Sequence, residues 1–141
     1  MMSVSTEVQV QEVHFVVDSG AVETVLPSNM LSHTALRKGQ KFGSVYNGLE
    51  GSTVTNLGER TLTGSVGGQV SRITAQVCGI TKPLYSVAQA VRAGFEVTLG
   101  RDGGGMRHRT SGRWYPFTMR NGMYEMTMSV SPGFSRPGQS T

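Results

Sequence analysis

Phe15-Val16-Val17-Asp18-Ser19-Gly20-Ala21 is the stretch on which the fold turns. Its apolar run, partly β-branched, reads as a buried strand. That strand delivers an aspartate into a Ser-Gly turn. A carboxylate at the end of a buried strand is costly unless its charge is held or used. Ser19 has a hydroxyl to donate, and Gly20 lets the chain turn sharply and lets another backbone approach. The chain resumes as Val22-Glu23-Thr24-Val25-Leu26 and halts at Pro27. The acid therefore belongs to a loop between two strands, 13–18 and 21–26.

Working outward, Val4, Val8, Val10 and Val13 are spaced for an edge strand over 1–12. Ser28 to Lys38 fits either a helical turn or a covering loop. Phe42 to Tyr46, the tip Asn47-Gly48-Leu49-Glu50-Gly51 and Ser52 to Asn56 predict a hairpin with a mobile tip, since Asn-Gly is a strong hairpin signal. Leu57 to Val66, the Gly67-Gly68 turn and Gln69 to Val77 predict a second hairpin.

The one helix signal lies within Ile80 to Gly94. Lys82-Pro83-Leu84-Tyr85 is extended because Pro83 biases its predecessor away from the helix. Ser86 then opens a Ser-x-x-Gln capping box with Gln89, and Gly94 supplies the stop. Val87, Ala88 and Val91 are expected to continue an apolar face from Leu84. Ser86 reads as a cap rather than a nucleophile, because no His or Asp accompanies it in sequence.

The remainder reads as β structure. Phe95 to Leu99 is a strand, Arg101-Asp102-Gly103-Gly104-Gly105 a turn, and Trp114 to Met119 and Met123 to Val130 flank a second Asn-Gly, Asn121-Gly122. Tyr124, Met126, Met128 and Val130 share one face by period two and read as core or a subunit interface. Ser131 to Thr141 reads as a disordered tail or linker. The chain's 141 residues allow one domain with a real core. Its many Val, Thr, Ser and Gly residues favour an all-β class. With no 18-residue apolar run and no signal-like leader, no membrane span and no secretory signal are expected. Cys78 is the single cysteine, which excludes an internal disulfide and fits a reducing, cytoplasmic setting. Cys78, His14, His33 and His108 lack metal-ligand spacing, so no metal is expected.

The formal charge of +4 is uneven. Arg101, Arg107, Arg109, Arg113 and Arg120 fall close together, with Asp102 against them. Two readings stand: a contact with nucleic acid or another acidic partner, and a solvated hairpin face.

Asp-Ser/Thr-Gly arises by chance in roughly one chain in fifteen of this size, so its placement between strands carries the signal rather than the tripeptide. An Asx turn fixing the loop is the plain alternative. Counting acids then constrains the chemistry. Asp18 and Asp102 are the only aspartates, and Asp102 reads as part of an exposed turn. Acid–base hydrolysis by paired aspartates needs two carboxylates sharing a proton. A lone Asp18 cannot fill both roles, whereas a symmetric dimer brings two copies of it together.

These segments together resemble the retropepsins, the dimeric aspartic proteases of retroviruses and retrotransposons. Phe15 to Ala21 is similar to their catalytic loop. Tyr46-Asn47-Gly48 through Asn56-Leu57-Gly58-Glu59 is similar to the flap region of retrotransposon-type members. Lys82-Pro83-Leu84-Tyr85-Ser86-Val87, running to Ala93-Gly94, is similar to a Pro-Leu-x-Ser-Val…Ala-Gly segment of the same members. The resemblance covers residues 13–100 and implies a protease domain over 1–130, with extra hairpins at 101–130. It implies a closed all-β barrel with one short helix and a hairpin flap, assembling as a symmetric homodimer. It further implies that Asp18 is the catalytic acid, supported by Ser19 and Gly20. Ala21, Asn47, Gly48, Leu49, Glu50, Gly51 and Ser52 would contact a peptide or polyprotein substrate, without a cofactor. The sequence departs from the pattern in several places. Ser19 stands where Thr is commoner, Thr81-Lys82-Pro83 replaces the hydrophobic-Gly-Arg/Asn segment of viral members, and the tip lacks their double glycine. A catalytically inactive dimerisation or peptide-binding module of the same fold is the alternative these departures leave open.

Overall fold

Alternation sets the first strand. In β1 (Gln11–Asp18) Val13 and Phe15 are buried while Glu12 and His14 are exposed, the period-two pattern of a strand with one wet face. The computed structural model describes residues 10–47 and 52–132. Of the edge strand expected over 1–12, Gln11 and Glu12 begin β1 itself, Val10 precedes it, and residues 1–9 lie outside the described ones. So do the expected hairpin tip at 48–51 and residues 133–141 of the expected tail.

The strand expected over 21–26 is shorter and later. β2 is Val25–Pro27, and residues 21–24 form a loop. The Thr24 N–H and hydroxyl bond elsewhere, as described below, while its carbonyl accepts from the Gln76 N–H at 2.9 Å. Pro27 joins the strand rather than ending it. It has no N–H to offer, and the N–H of Ser28 donates to the Cys78 carbonyl instead, at 3.1 Å. Residues 28–38 are turns, not a helix. Leu31 is buried there at a φ of 55°, and Arg37 bridges to Glu59.

β3 (Val45–Asn47) and β4 (Thr53–Thr55) form a separate two-stranded hairpin. The strand expected from Phe42 begins only at Val45, and Phe42 is exposed. β5 (Gly58–Val66) and β6 (Gln69–Cys78) pair along their whole length, from Gly58↔Val77 to Val66↔Gln69. Their turn carries Gly67 at φ 56° and Gly68 at φ 84°, the two positive values that a two-residue hairpin loop matching strand twist requires.

β7 (Leu84–Ser86) leads directly into α1 (Val87–Arg92). The helix has Ser86 as N-cap and stops before Gly94, whose φ is 96°. Its buried face differs from the expected one: Ala90 is buried and Val91 is 53% exposed. A helix this short has less than two turns to present, so one residue of rotation decides which side meets the core.

β8 (Phe95–Gly100), β9 (Gly103–His108), β10 (Trp114–Arg120) and β11 (Met123–Val130) complete the chain as antiparallel neighbours. β11 does more than extend the sheet. It pairs with β10, with β5, and with β1 from Gln11↔Val130 to Val16↔Glu125. The ring β1-β7-β2-β6-β5-β11 is thereby closed, giving an all-β architecture with a closed six-stranded barrel and one short helix. Closure leaves the ring itself without a free edge, and β8 remains the outer edge of the sheet. Phe15, Leu26, Leu62, Met126 and Met128 are fully buried in the core, so the period-two stripe of β11 is core. The inward residues of the outer strands, Met106, Tyr115 and Phe117, join the same cluster. Among the described residues no helix is long and apolar enough to cross a membrane.

The β5–β11 seam depends on one glycine. A Cβ at Gly64 would lie 1.8 Å from the Ser129 carbonyl oxygen, so Gly64→Ala must push the strands apart. An unfolding titration should show a loss of about 2–4 kcal/mol. Gly79→Ala, where a Cβ meets nothing within 4 Å, should stay within about 0.5 kcal/mol of the parent.

Candidate active site

The register of β1 decides where its acid sits. β7 runs parallel to β1 with Val16↔Leu84, Val17↔Tyr85 and Asp18↔Ser86 in register. Asp18 therefore lies beside the residue that caps α1. β7 is inserted between β1 and β2, although those two are consecutive in the chain. The loop 19–24 has to span the width of β7, roughly 10 Å. It crosses just where β7 becomes helix.

Hydrogen bonds fix that crossing. The Ser86 hydroxyl accepts from the Gln89 N–H at 2.9 Å and donates to the Ala21 carbonyl at 2.7 Å. The Ser86 N–H donates to the Thr24 hydroxyl at 3.0 Å, and the Thr24 N–H donates to the Gln89 side-chain carbonyl at 2.8 Å. The expected capping box is thus half made. Ser86 caps, but Gln89 reaches across to Thr24 rather than back to Ser86. Ser86 and Thr24 are both buried, so these polar groups depend on each other to be satisfied.

Within the loop, the Gly20 N–H donates to Asp18 Oδ1 at 2.7 Å. A carboxylate that accepts a backbone N–H two residues on forms an Asx turn. Gly20 has no left-handed φ, and a Cβ there would stand 3.3 Å from Asp18 Oδ1, a tight contact that the carboxylate would have to ease by a few tenths of an ångström. Asp18 is half-buried, and Ser19 and Gly20 are exposed. Ala21 is half-buried, and its carbonyl is the one bound by Ser86. Asn47 and Ser52, at the ends of the β3–β4 hairpin, are exposed. Gly48, Leu49, Glu50 and Gly51 lie outside the described residues.

A second polar chain links the loop to that hairpin. Glu23 is only 10% exposed, and its carboxylate accepts from Lys41 Nζ at 2.6 Å and from the Tyr46 hydroxyl at 3.4 Å. Asn56, 1% exposed, donates to the Tyr46 oxygen at 3.0 Å and to Gln76 Oε1 at 2.8 Å. Burial pushes the Tyr46 phenol up from its ordinary range, and the Glu23 charge adds to this while the Asn56 hydrogen bond opposes it. The Cys78 thiol is likewise pushed up by burial and then by Glu23, which keeps it protonated and a poor nucleophile. Glu23, Thr24, Lys41, Tyr46 and Gln89 were not singled out as site residues from sequence. The available signal was the polar pair Glu23-Thr24 inside the apolar run Val22 to Leu26: polar residues there must find partners.

The second aspartate is elsewhere. Asp102 is exposed in the turn between β8 and β9. Along the sheet order those strands are three and four steps from β1, on the order of 15 Å at about 4.8 Å per strand. Two surface grooves, of about 590 and 320 Å³, are lined by other residues, and Asp18 lines neither. Among the described residues no cluster of His, Cys, Asp or Glu side chains could hold a metal ion.

The arginines do not form one patch. Arg107, Arg109 and Arg113 gather at the β9–β10 hairpin end, whereas Arg101 and Arg120 lie at the opposite ends of those strands. Arg120 pairs with Glu125 at 3.9 Å.

No protein-family model matches the chain, and no curated protein and no solved structure matches it.

Ser86→Ala removes a helix cap and the donor to the Ala21 carbonyl in one step. Its cost should reach about 2–3 kcal/mol in denaturant unfolding, above the roughly 1 kcal/mol of an isolated cap. Limited proteolysis should then cut first within residues 19–24.

Proposed function

We propose that this chain is one subunit of a retropepsin-like aspartic endopeptidase, a homodimer in which each copy supplies one Asp18 carboxylate. The observation that carries this reading is the pairing of a fixed Asp18 loop with the lack of a second aspartate near it. Asp18 ends a barrel strand, its carboxylate is oriented by the Gly20 N–H, and its loop is tied down through Ser86. Ser19 is exposed, and its hydroxyl has no hydrogen-bond partner among the described residues, which leaves it available to a partner copy. The link from Glu23 to Lys41 and Tyr46 supports a hairpin that acts on the same site.

In the dimer, one Asp18 is ionised and the other holds a proton, because two close carboxylates cannot both ionise cheaply. The ionised one takes a proton from a water as the water oxygen bonds to the scissile carbonyl carbon. The protonated one donates to the carbonyl oxygen. Collapse of the tetrahedral adduct breaks the C–N bond as a proton passes to the leaving nitrogen. An extended peptide lies between the loops and the hairpins as an added strand, and hairpin closure excludes water. Processing of a retroelement polyprotein is the biological role that fits this chemistry.

Asp18→Asn should fold as the parent does and lower kcat/KM for peptide cleavage at mildly acidic pH on the order of 10³-fold. Retained peptide binding by both proteins with turnover by neither would instead favour the inactive module.

The site exists only when two copies meet, so specific activity should rise with protein concentration and level off once the dimer is saturated. Activity assays paired with sedimentation over the same concentration range check this. A constant specific activity across the dimer dissociation constant contradicts it.

A further inference from the structure

The outer sheet has a face that the core does not use. Val97, Met106, Tyr115 and Phe117 point inward from β8, β9 and β10. The opposite face carries, in one register row, Glu96, Arg107 and Trp114. Trp114 is the chain's only tryptophan and is 39% exposed. Its indole lies against Gly105, where a Cβ would come 2.4 Å from the ring. Gly105 thus lets a large aromatic ring lie along the sheet. The Arg107 guanidinium carbon is 5.4 Å from the ring centroid. Arg109 and Arg113 lie in the adjoining turn at the same hairpin end, and both are exposed. The turn is itself held: the His108 N–H donates to the Arg113 carbonyl at 2.9 Å, and the Ser111 N–H donates to His108 Nδ1 at 3.2 Å. Among the described residues none of these arginines is in an ion pair.

We propose that this hairpin end binds single-stranded nucleic acid, with a base stacked on Trp114 and phosphates held by Arg107, Arg109 and Arg113. The surface pairs cations with a part-exposed indole, and the ligand that complements both is a chain of phosphates bearing unstacked rings. A duplex keeps its base faces inside the stack. An acidic peptide satisfies the arginines and leaves the indole without a partner. The site is separate from Asp18, and its binding does not depend on proteolysis.

The test uses the full chain with a fluorescently labelled single-stranded oligothymidylate, read by anisotropy, and Trp114 emission read in parallel. Binding should quench Trp114, and the affinity should fall with salt at a log–log slope near −2, as expected for three single-strand phosphate contacts at about 0.7 each. Arg109→Ala/Arg113→Ala should bring that slope to about −0.7. Trp114→Leu should weaken binding about tenfold or more while leaving the slope in place. Asp18→Asn should bind as the parent does. The proposal is overturned by an absence of oligonucleotide binding at low salt. Equal affinity for a duplex or for polyglutamate, or a salt slope unmoved in the double arginine variant, overturns it as well.

Discussion

The bonds converging on Ser86 are the constraint on which the rest of the candidate site depends. β7 lies between two strands that follow one another in the chain, so the connection between those strands must pass over it. A loop spanning a strand end leaves backbone groups without ladder partners, and buried ones must be satisfied. Ser86 and Thr24 meet this need together: one hydroxyl caps the helix and holds the Ala21 carbonyl, the other receives the Ser86 N–H. The aspartate is in turn fixed at both ends, by the ladder before it and by the pinned loop after it. A carboxylate so held gains orientation without being enclosed.

Much of this architecture is legible in local chemistry. The Gly67-Gly68 and Asn121-Gly122 turns have positive φ at both residues, and only a few residue types allow that. The Ser86 cap follows from its place before a short apolar run. The stripe from Tyr124 to Val130 is core because period two matches a strand pleat. What sequence did not show is set by distant partners. Gln89 turns away from the expected box because Thr24, 65 residues earlier, presents an N–H that needs it. The arginine run looks continuous along the chain, yet a hairpin sends its members to opposite ends of a sheet, and charge counting carries no information about direction. The second carboxylate of the proposed dimer would be legible only as an absence, since a symmetry-related copy leaves no trace of its own in one sequence.

Glu23 illustrates how buried polar groups couple parts of the fold. Its carboxylate sits where solvent is scarce, and Lys41 and Tyr46 are the partners that make the burial tolerable. Asn56 and Gln76 carry the chain of bonds onward into the β5–β6 hairpin. Losing one member leaves the others underbonded, so the loop, the small hairpin and the long hairpin share their stability. These side chains thereby tie the hairpin's base to the acid loop, beside the backbone bonds that Leu57 makes to Val77 and Gln76 makes to Thr24.

The seam that closes the barrel has a mechanical meaning. β1 and β11 are antiparallel and begin and end together, with Gln11 opposite Val130. Tension applied to the chain on either side of the barrel would therefore pull these two residues directly apart. The load would fall on one rung at a time, in the manner of a zipper rather than a shear joint. The same seam covers Val13, Phe15, Met126 and Met128, so the first step of such an opening would expose the centre of the core. The barrel would thus open first along the one line where its own chain enters and leaves.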